Sequence, residues 1–324
     1  MPETTYVEAI REGIWEEMER DESVFVMGED IAVYGGAFKV TKGMLERFGE
    51  PRVIDTPLSE SAIVGAGTGA AINGLRPVLE MQFADFMACG FDQITNFAAK
   101  CRYRWGQAIP MVIRAPSGGN IHGGPFHSQN VEMPYVHTPG LKVVQPATAY
   151  DAKGLIKASI RDDDPVIFLE HKYLYRSVKE ELPERDYTVP LGKAKVRRPG
   201  SDLSIISYGW MVHVALEAAG RLASEGISVE VLDLRTLQPL DRGAILDTAR
   251  KTSKVILLHE DTLTGGLGGE LAGIIGEHAF DYLDGPLVRV AAPDTPVPYS
   301  ETLERAFLPS RDQVIEKARW LYRF

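Results

Sequence analysis

Proton chemistry in this chain has its first candidate in Glu60, which closes the run Asp55-Thr56-Pro57-Leu58-Ser59-Glu60. There a short apolar strand, Arg52-Val53-Ile54, passes through a Pro-containing turn into a helix of Ala, Gly, Ile and Val, so the carboxylate stands near the helix start. Such a group can complement the helix dipole or take part in catalysis. Glu29 follows Val24-Phe25-Val26-Met27-Gly28, and ligands of open α/β sheets gather at the carboxyl ends of strands. A solvated turn acid is the plainer alternative. Gln82, Phe83 and Phe86 gather at another strand end, where Phe86 could stack on a flat ligand ring or belong to the core. His122 and His127 lie in the glycine-rich loop from Gly118 to Gln129, whose cost in order suggests that a ligand or partner fixes it. Either histidine could carry a proton to a substrate oxygen, or simply hold a structural hydrogen bond.

Other motifs are weaker. No Cys or third closely spaced His completes a zinc set. Asp162-Asp163-Asp164 is either a self-repelling solvated loop or an oxygen-rich place for a hard cation. Gly65-Ala66-Gly67-Thr68-Gly69-Ala70 nearly matches a dinucleotide fingerprint, but its glycines stand inside the helix and not in the strand-to-helix turn that a pyrophosphate needs. Gly265-Gly266-Leu267-Gly268-Gly269 fails too, with Leu271 at the third glycine position. A nicotinamide oxidoreductase is therefore disfavoured. Gly65, Ala66, Gly69 and Ala70 form a small helix face against which another helix could pack, from a partner subunit or from within the chain.

The elements that must position these residues follow from periodicity. Val7, Ile10, Ile14, Trp15 and Met18 predict a half-buried helix over 5–20, and further helices are expected over 39–48, 90–103 and 149–160. Strands are expected at 24–27, 52–54, 76–83, 110–114, 141–146 and 165–170. The polar stretch 176–200 reads as a linker between a domain of residues 1–175 and one of residues 201–324. Beyond it, strands at 203–208, 228–234, 254–259 and 287–291 alternate with helices at 212–226, 243–252, 269–278 and 311–322. Strict alternation implies α/β architecture with two doubly wound, mostly parallel sheets.

Composition narrows the function classes. The formal charge of −10 argues against a nucleic-acid binder, which must neutralise phosphates. Cys89 and Cys101 form no CxxC pair, the opening residues lack a secretory pattern, and no apolar run spans a membrane, so a cytoplasmic setting is expected.

Gly28-Glu29-Asp30, Asp55 to Glu60, Gln82 to Phe86, His127-Ser128-Gln129, Pro139 to Val144 and Asp151 to Leu155 together closely resemble the beta subunits of thiamine-diphosphate-dependent 2-oxoacid dehydrogenases. These belong to the decarboxylating first component of pyruvate and branched-chain complexes, and the resemblance runs from about Thr5 to the C-terminus. It implies a transketolase-like pyrimidine-binding domain followed by a transketolase C-terminal-like domain. It also implies oxidative decarboxylation of a small 2-oxoacid and reductive acylation of a lipoyl group. The partners would be an alpha subunit in an α2β2 heterotetramer and the lipoyl acyltransferase core. Magnesium would be held mainly by the alpha subunit, since this chain has no Gly-Asp-Gly.

By the same resemblance Glu60 is the catalytic carboxylate that bonds the aminopyrimidine ring and favours its imino tautomer. Glu29, Leu58, Ser59, Gln82 and Phe86 line the cofactor pocket. Phe83, Phe86 and His127 face the substrate, His127 serving as the acid or base of acyl transfer. Met111, Ser159, Asp162 and Asp164 match a structural potassium site. The resemblance assigns nothing to His122. An acetoin-cleaving relative and a non-catalytic docking scaffold of the same fold are the alternatives.

Overall fold

Strands buried from end to end, such as Val24–Gly28 and Val166–His171, must be covered on both faces, and parallel neighbours then need helical crossovers. The computed structural model describes Glu3–Phe324 and divides into two such units, so Met1 and Pro2 of the opening pattern lie outside the described residues. One unit comprises the chain up to Ser117 together with Pro134–Leu191, and the other Gly118–Met133 with Gly192–Phe324. The glycine-rich loop thus groups with the C-terminal half of the sequence.

In the first unit the order is β1 (Thr4–Thr5), α1 (Tyr6–Arg20), β2 (Val24–Gly28), α2 (Met44–Phe48), β3 (Val53–Asp55), α3 (Glu60–Ile72), β4 (Arg76–Glu80), α4 (Cys101–Trp105) and β5 (Val112–Ser117). After α5 (Glu132–Val136), whose Glu132 and Met133 group with the second unit, come β6 (Lys142–Val144), α6 (Ala149–Arg161), β7 (Val166–His171), α7 (Leu174–Ser177) and β8 (Lys179–Glu180). The strands β6-β7-β5-β4-β2-β3 run parallel in that spatial order. Helix α1 starts at a Thr5–Glu8 capping box and packs on α6, where a Cβ on Gly13 would lie 2.5 Å from Ile156 Cγ2.

Two expected helices are shorter than their patterns. Residues 39–43 stay irregular because Lys39 and Gly43 take left-handed backbone, so α2 starts only at Met44. The helix expected over 90–103 is a series of short turns ending in α4. It breaks where Gly140 comes so close that a Cβ there would sit 1.9 Å from the Ala99 carbonyl oxygen.

The second unit runs β9 (Lys195–Arg198), β10 (Leu203–Ser207), α8 (Met211–Ala223), β11 (Val229–Asp233), β12 (Thr236–Gln238), α9 (Arg242–Thr252), β13 (Val255–Thr262), α10 (Leu267–His278), β14 (Val288–Ala292), α11 (Glu301–Phe307) and α12 (Arg311–Arg323). Its sheet has the order β14-β13-β10-β11-β9, parallel except for β9 at the edge. Both β8, which pairs with β1, and β9 come from the polar stretch expected only to connect. Among the described residues no helix is long and apolar enough to cross a membrane.

Each unit buries charge as well as apolar surface. In the first, Arg114 of β5 reaches Glu80 Oε2 of β4 at 2.6 Å and grips both oxygens of Glu170 of β7 at 2.7 and 2.8 Å. Tyr175 adds a 2.6 Å bond to Glu170. Burial pushes the Glu80 carboxyl up, against the pull of Arg114. In the second unit Tyr208 donates to Glu132 Oε1 at 2.6 Å, while Oε2 is buried with no partner. Burial first and the Asp261 charge second hold the Glu132 carboxyl well above the usual carboxylate range.

Replacing Arg114 by Met removes one cation between two buried carboxylates, and the expected loss is about 3–5 kcal/mol in chemical denaturation, against under about 1 kcal/mol for Arg47→Met at the surface. A folded Glu132 that holds its proton more firmly than the unfolded chain does stabilises the fold at low pH. That contribution fades as pH rises from the ordinary carboxylate range through the raised value. Glu132→Gln should therefore flatten the fall in melting temperature between acid and neutral pH, and an unchanged slope would assign the effect elsewhere.

Candidate functional site

Register places the first unit's candidates. Gly28, the last residue of β2, pairs with Asp55 of β3 and with Glu80 of β4, so the three carboxyl ends lie level. Thr56 N–H donates to the Gly28 carbonyl at 2.9 Å, and Ala32 N–H to Asp55 Oδ1 at 2.7 Å, which ties the loop after β2 to the turn that carries Ser59 and Glu60. Helix α3 begins at Glu60, with Ser59 as its N-cap.

Glu29 is 4% exposed, and its Oε1 has no hydrogen-bond partner. Burial, then the neighbouring Glu60 charge, push its carboxyl up, while the Ser59 backbone N–H works the other way. A desolvated carboxylate beside a second one is costly, and such arrangements concentrate at functional sites. Gln82 Nε2 stands 3.5 Å from Asp30 Oδ2, at the limit of a hydrogen bond. Leu58 is 78% exposed.

Phe83 and Phe86 meet edge to face at 5.8 Å, and Phe83 meets Phe38 in the same manner at 5.6 Å. Both rings are half-buried, so each keeps part of its surface clear of the core. The first unit thus brings Glu29, Ser59 and Glu60 together, with Gln82 joined through Asp30.

His127 belongs to the second unit. It is half-buried on a short turn in which its N–H faces the Gly124 carbonyl at 3.4 Å. The loop closes through Gly118 N–H to the Gln129 carbonyl at 3.1 Å. Gly124 is left-handed and seated on Tyr299, whose Cε1 a Cβ would meet at 2.3 Å.

The loop also contacts two acids that sequence reasoning passed over. Glu260 accepts from Gly119 N–H at 2.6 Å, and Glu304 accepts from Asn120 N–H at 3.0 Å and pairs with His122 Nδ1 at 2.7 Å. Glu260 lies toward the end of β13, and the strand-end rule that singles out Glu29 applies equally to it. Glu304 sits in the charged run Glu301-Thr302-Leu303-Glu304-Arg305, which reads as a solvated helix face and carries no signal of its own.

The potassium set does not fit a cation through its side chains. Asp162 holds Lys142 Nζ at 2.6 and 2.7 Å, and Asp164 pairs with Arg102. Ser159 Oγ donates to the Leu155 carbonyl at 2.7 Å, and the Met111 carbonyl accepts from Val166 N–H at 2.9 Å. Arg76 takes the Ile160 and Asp162 carbonyls, each at 3.0 Å. Lysine and arginine already supply the positive charge, and no group of three metal-ligating side chains occurs among the described residues.

Comparisons with known proteins agree with this architecture. Residues 3–178 match the family described as transketolase, pyrimidine binding domain, and residues 192–314 match transketolase, C-terminal domain. A 2-oxoisovalerate dehydrogenase subunit beta from Bacillus subtilis is 52% identical over 99% of both chains. Pyruvate dehydrogenase E1 component subunits beta from Bacillus subtilis and Staphylococcus epidermidis are 45% and 44% identical over 100% and 98% of each chain. Among solved structures, a split gene transketolase described as an inactive beta4 tetramer superposes with a TM-score of 0.81 over 99% of both chains, at 24% identity, and supports the fold. With both domains in order and such identity over the whole length, the chain belongs to the family of 2-oxoacid dehydrogenase beta subunits, the thiamine-diphosphate-dependent E1 beta chains of the pyruvate and branched-chain enzymes.

Proposed function

We propose that this beta subunit provides the pyrimidine-binding side of a thiamine-diphosphate site, and that with an alpha subunit it decarboxylates a branched-chain 2-oxoacid and passes the acyl group to a lipoyl arm. The buried, partnerless Oε1 of Glu29 beside Glu60 carries the reading. Leaving such an atom unsatisfied costs roughly 1–3 kcal/mol, and an aminopyrimidine, with its amino group and basic ring nitrogens, would satisfy it. The residues therefore fit the cofactor.

When bound, thiamine diphosphate supplies a nucleophilic carbon and an electron sink for loss of carbon dioxide. Glu60 at the head of α3 holds the proton exchanged with the ring nitrogen. Glu29 keeps a firmly held proton or a lone pair for the ring's polar edge. Leu58, Ser59, Gln82 and Phe86 orient the ring, and Phe83 with Phe86 gives the substrate an apolar wall. His127 moves the proton needed at the lipoyl sulfur.

Magnesium and the diphosphate fall to the alpha subunit, because this chain has no Gly-Asp-Gly. A subunit contact at the Gly69 end of the small face of α3 accords with that assembly: among the described residues a Cβ on Gly69 would meet nothing within 4 Å, whereas one on Gly65 would meet Gln93 Oε1 of this chain at 3.5 Å. The buried side of the same helix differs, since a Cβ on Gly67 would meet Leu79 at 2.7 Å. A branched-chain substrate is favoured by the 52% identity to the 2-oxoisovalerate relative against 45% for the pyruvate relative.

In a co-expressed heterotetramer, Glu60→Gln should lower decarboxylation, read with an artificial electron acceptor, by at least about 10²-fold. Unchanged turnover would remove Glu60 from catalysis and leave a docking scaffold. His127→Ala should spare that assay more than acyl transfer to a lipoyl domain. Wild-type kcat/KM should favour 3-methyl-2-oxobutanoate over pyruvate by roughly 10-fold or more, as a few methylenes in an apolar pocket allow. Preference for pyruvate or for acetoin would reassign the substrate.

A further inference from the structure

The backbone of the histidine loop alternates in hand. Gly118, Asn120, His122 and Gly124 have φ of 81°, 63°, 61° and 66°, all left-handed, with Gly119, Ile121 and Gly123 outside that region. Two of the four are not glycine, so the conformation carries strain that something must offset. Alternation of this kind turns successive N–H groups toward one side and makes a concave nest for an anion.

Here the nest holds the protein's own carboxylates. Gly119 N–H donates to Glu260 Oε1, and the Asn120 and His122 N–H groups donate to Glu304 at 3.0 and 3.2 Å. Asn130 Nδ2 adds a 3.0 Å bond to Glu260 from the far side of the loop. A Cβ on Gly119 would lie 3.3 Å from Glu304 Oε1 and 3.4 Å from Glu260 Oε1, so the two acids meet beneath that glycine. Both are buried, with Glu304 1% exposed, while the side chain it holds, His122, is 45% exposed. A carboxylate only accepts, so His122 Nδ1 is the donor of this pair.

We propose that Glu304 is a positioning residue for the loop that bears His127. Through the backbone nest it fixes the path of residues 119–122, and through Nδ1 it fixes the orientation of His122. Glu260 holds the two ends of the same loop. A loop with this many glycines would otherwise sample many conformations, and catalytic geometry that loosens by about 1 Å can lose on the order of 10²-fold in rate. The role of His127 rests on the function proposed above, whereas the ordering of the loop by Glu304 does not.

The test uses the assembled heterotetramer. Glu304→Gln keeps one acceptor oxygen, at the Oε1 position that the Asn120 and His122 N–H groups both reach at 3.0 and 3.4 Å, but removes the negative charge and puts an amide NH2 where Oε2 faces His122, and Glu304→Asp keeps the charge. Glu304→Gln should speed amide hydrogen exchange in residues 118–133 at least about 10-fold. It should also lower kcat for acyl transfer to a lipoyl domain about 10-fold with the 2-oxoacid KM within about two-fold, and move the pH profile of transfer; Glu304→Asp should recover part of each. If Glu304→Gln fails to assemble, His122→Ala, which leaves the nest intact, should still move the pH profile with little change in exchange. Wild-type exchange and an unmoved profile in Glu304→Gln, or an unmoved profile in His122→Ala, would overturn the proposal. Wild-type transfer by His127→Ala would overturn the reading of His127 alone, and exchange at 118–133 would still decide Glu304.

Discussion

The candidate site of the first unit depends on one buried ion network. Arg114 sits in the middle of a parallel sheet and joins β4, β5 and β7 through Glu80 and Glu170, with all three side chains 5% exposed or less. A guanidinium in that position is tolerable only because its fork is filled on both sides, and removal of any member leaves a charge without compensation. The network also shapes the loop after β2. A Cβ on left-handed Gly36 would lie 2.5 Å from Glu80 Oε1, so only glycine allows that loop to fold back over the strand ends where Glu29 stands.

Glu29 is the counter-case in the same unit. Glu80 and Glu170 are buried and paired, whereas Glu29 is buried with a free oxygen and an acid as its neighbour. A fold selected for stability alone would pair Glu29 or replace it with an apolar residue, as the rest of the sheet core does. Glu29 Oε1 breaks that local rule, and so do the buried Thr56 Oγ1, Ser117 Oγ and Gln145 Oε1 near other strand ends, but Glu29 alone of these is a carboxylate set beside a second acid, an arrangement that points to binding or catalysis.

Much of this was legible in the sequence for a physical reason. Parallel strands covered on both faces leave continuous apolar runs, and the rule that ligands gather at their carboxyl ends then picks out Glu29 and, after the following turn, Glu60. What was not legible depends on distant residues meeting. The helix expected over 90–103 has helical periodicity, but it is interrupted where Gly140 presses on Ala99. The triple aspartate offers oxygen ligands in sequence, yet Lys142, Arg102 and Arg76 converge on it from other elements. The two faces of α3 show the same limit, because only the fold tells Gly67, pressed on Leu79, from Gly69, where a Cβ would meet nothing within 4 Å.

The histidine loop depends most on such distant meetings. Its sequence shows an expense in glycine but not what repays it, because Asn120 and His122 take left-handed backbone without being glycine. Local preference alone would send both residues elsewhere. The carboxylate that stabilises them is Glu304, separated from Asn120 by 184 positions and carried on a helix that no periodic signal announced. Loop order is therefore a tertiary property here, held by hydrogen bonds to a buried charge and not by turn chemistry. The carboxylate that accepts from these strained backbone N–H groups also pairs with His122 Nδ1, so one buried acid joins the path of the loop to the orientation of its exposed histidine.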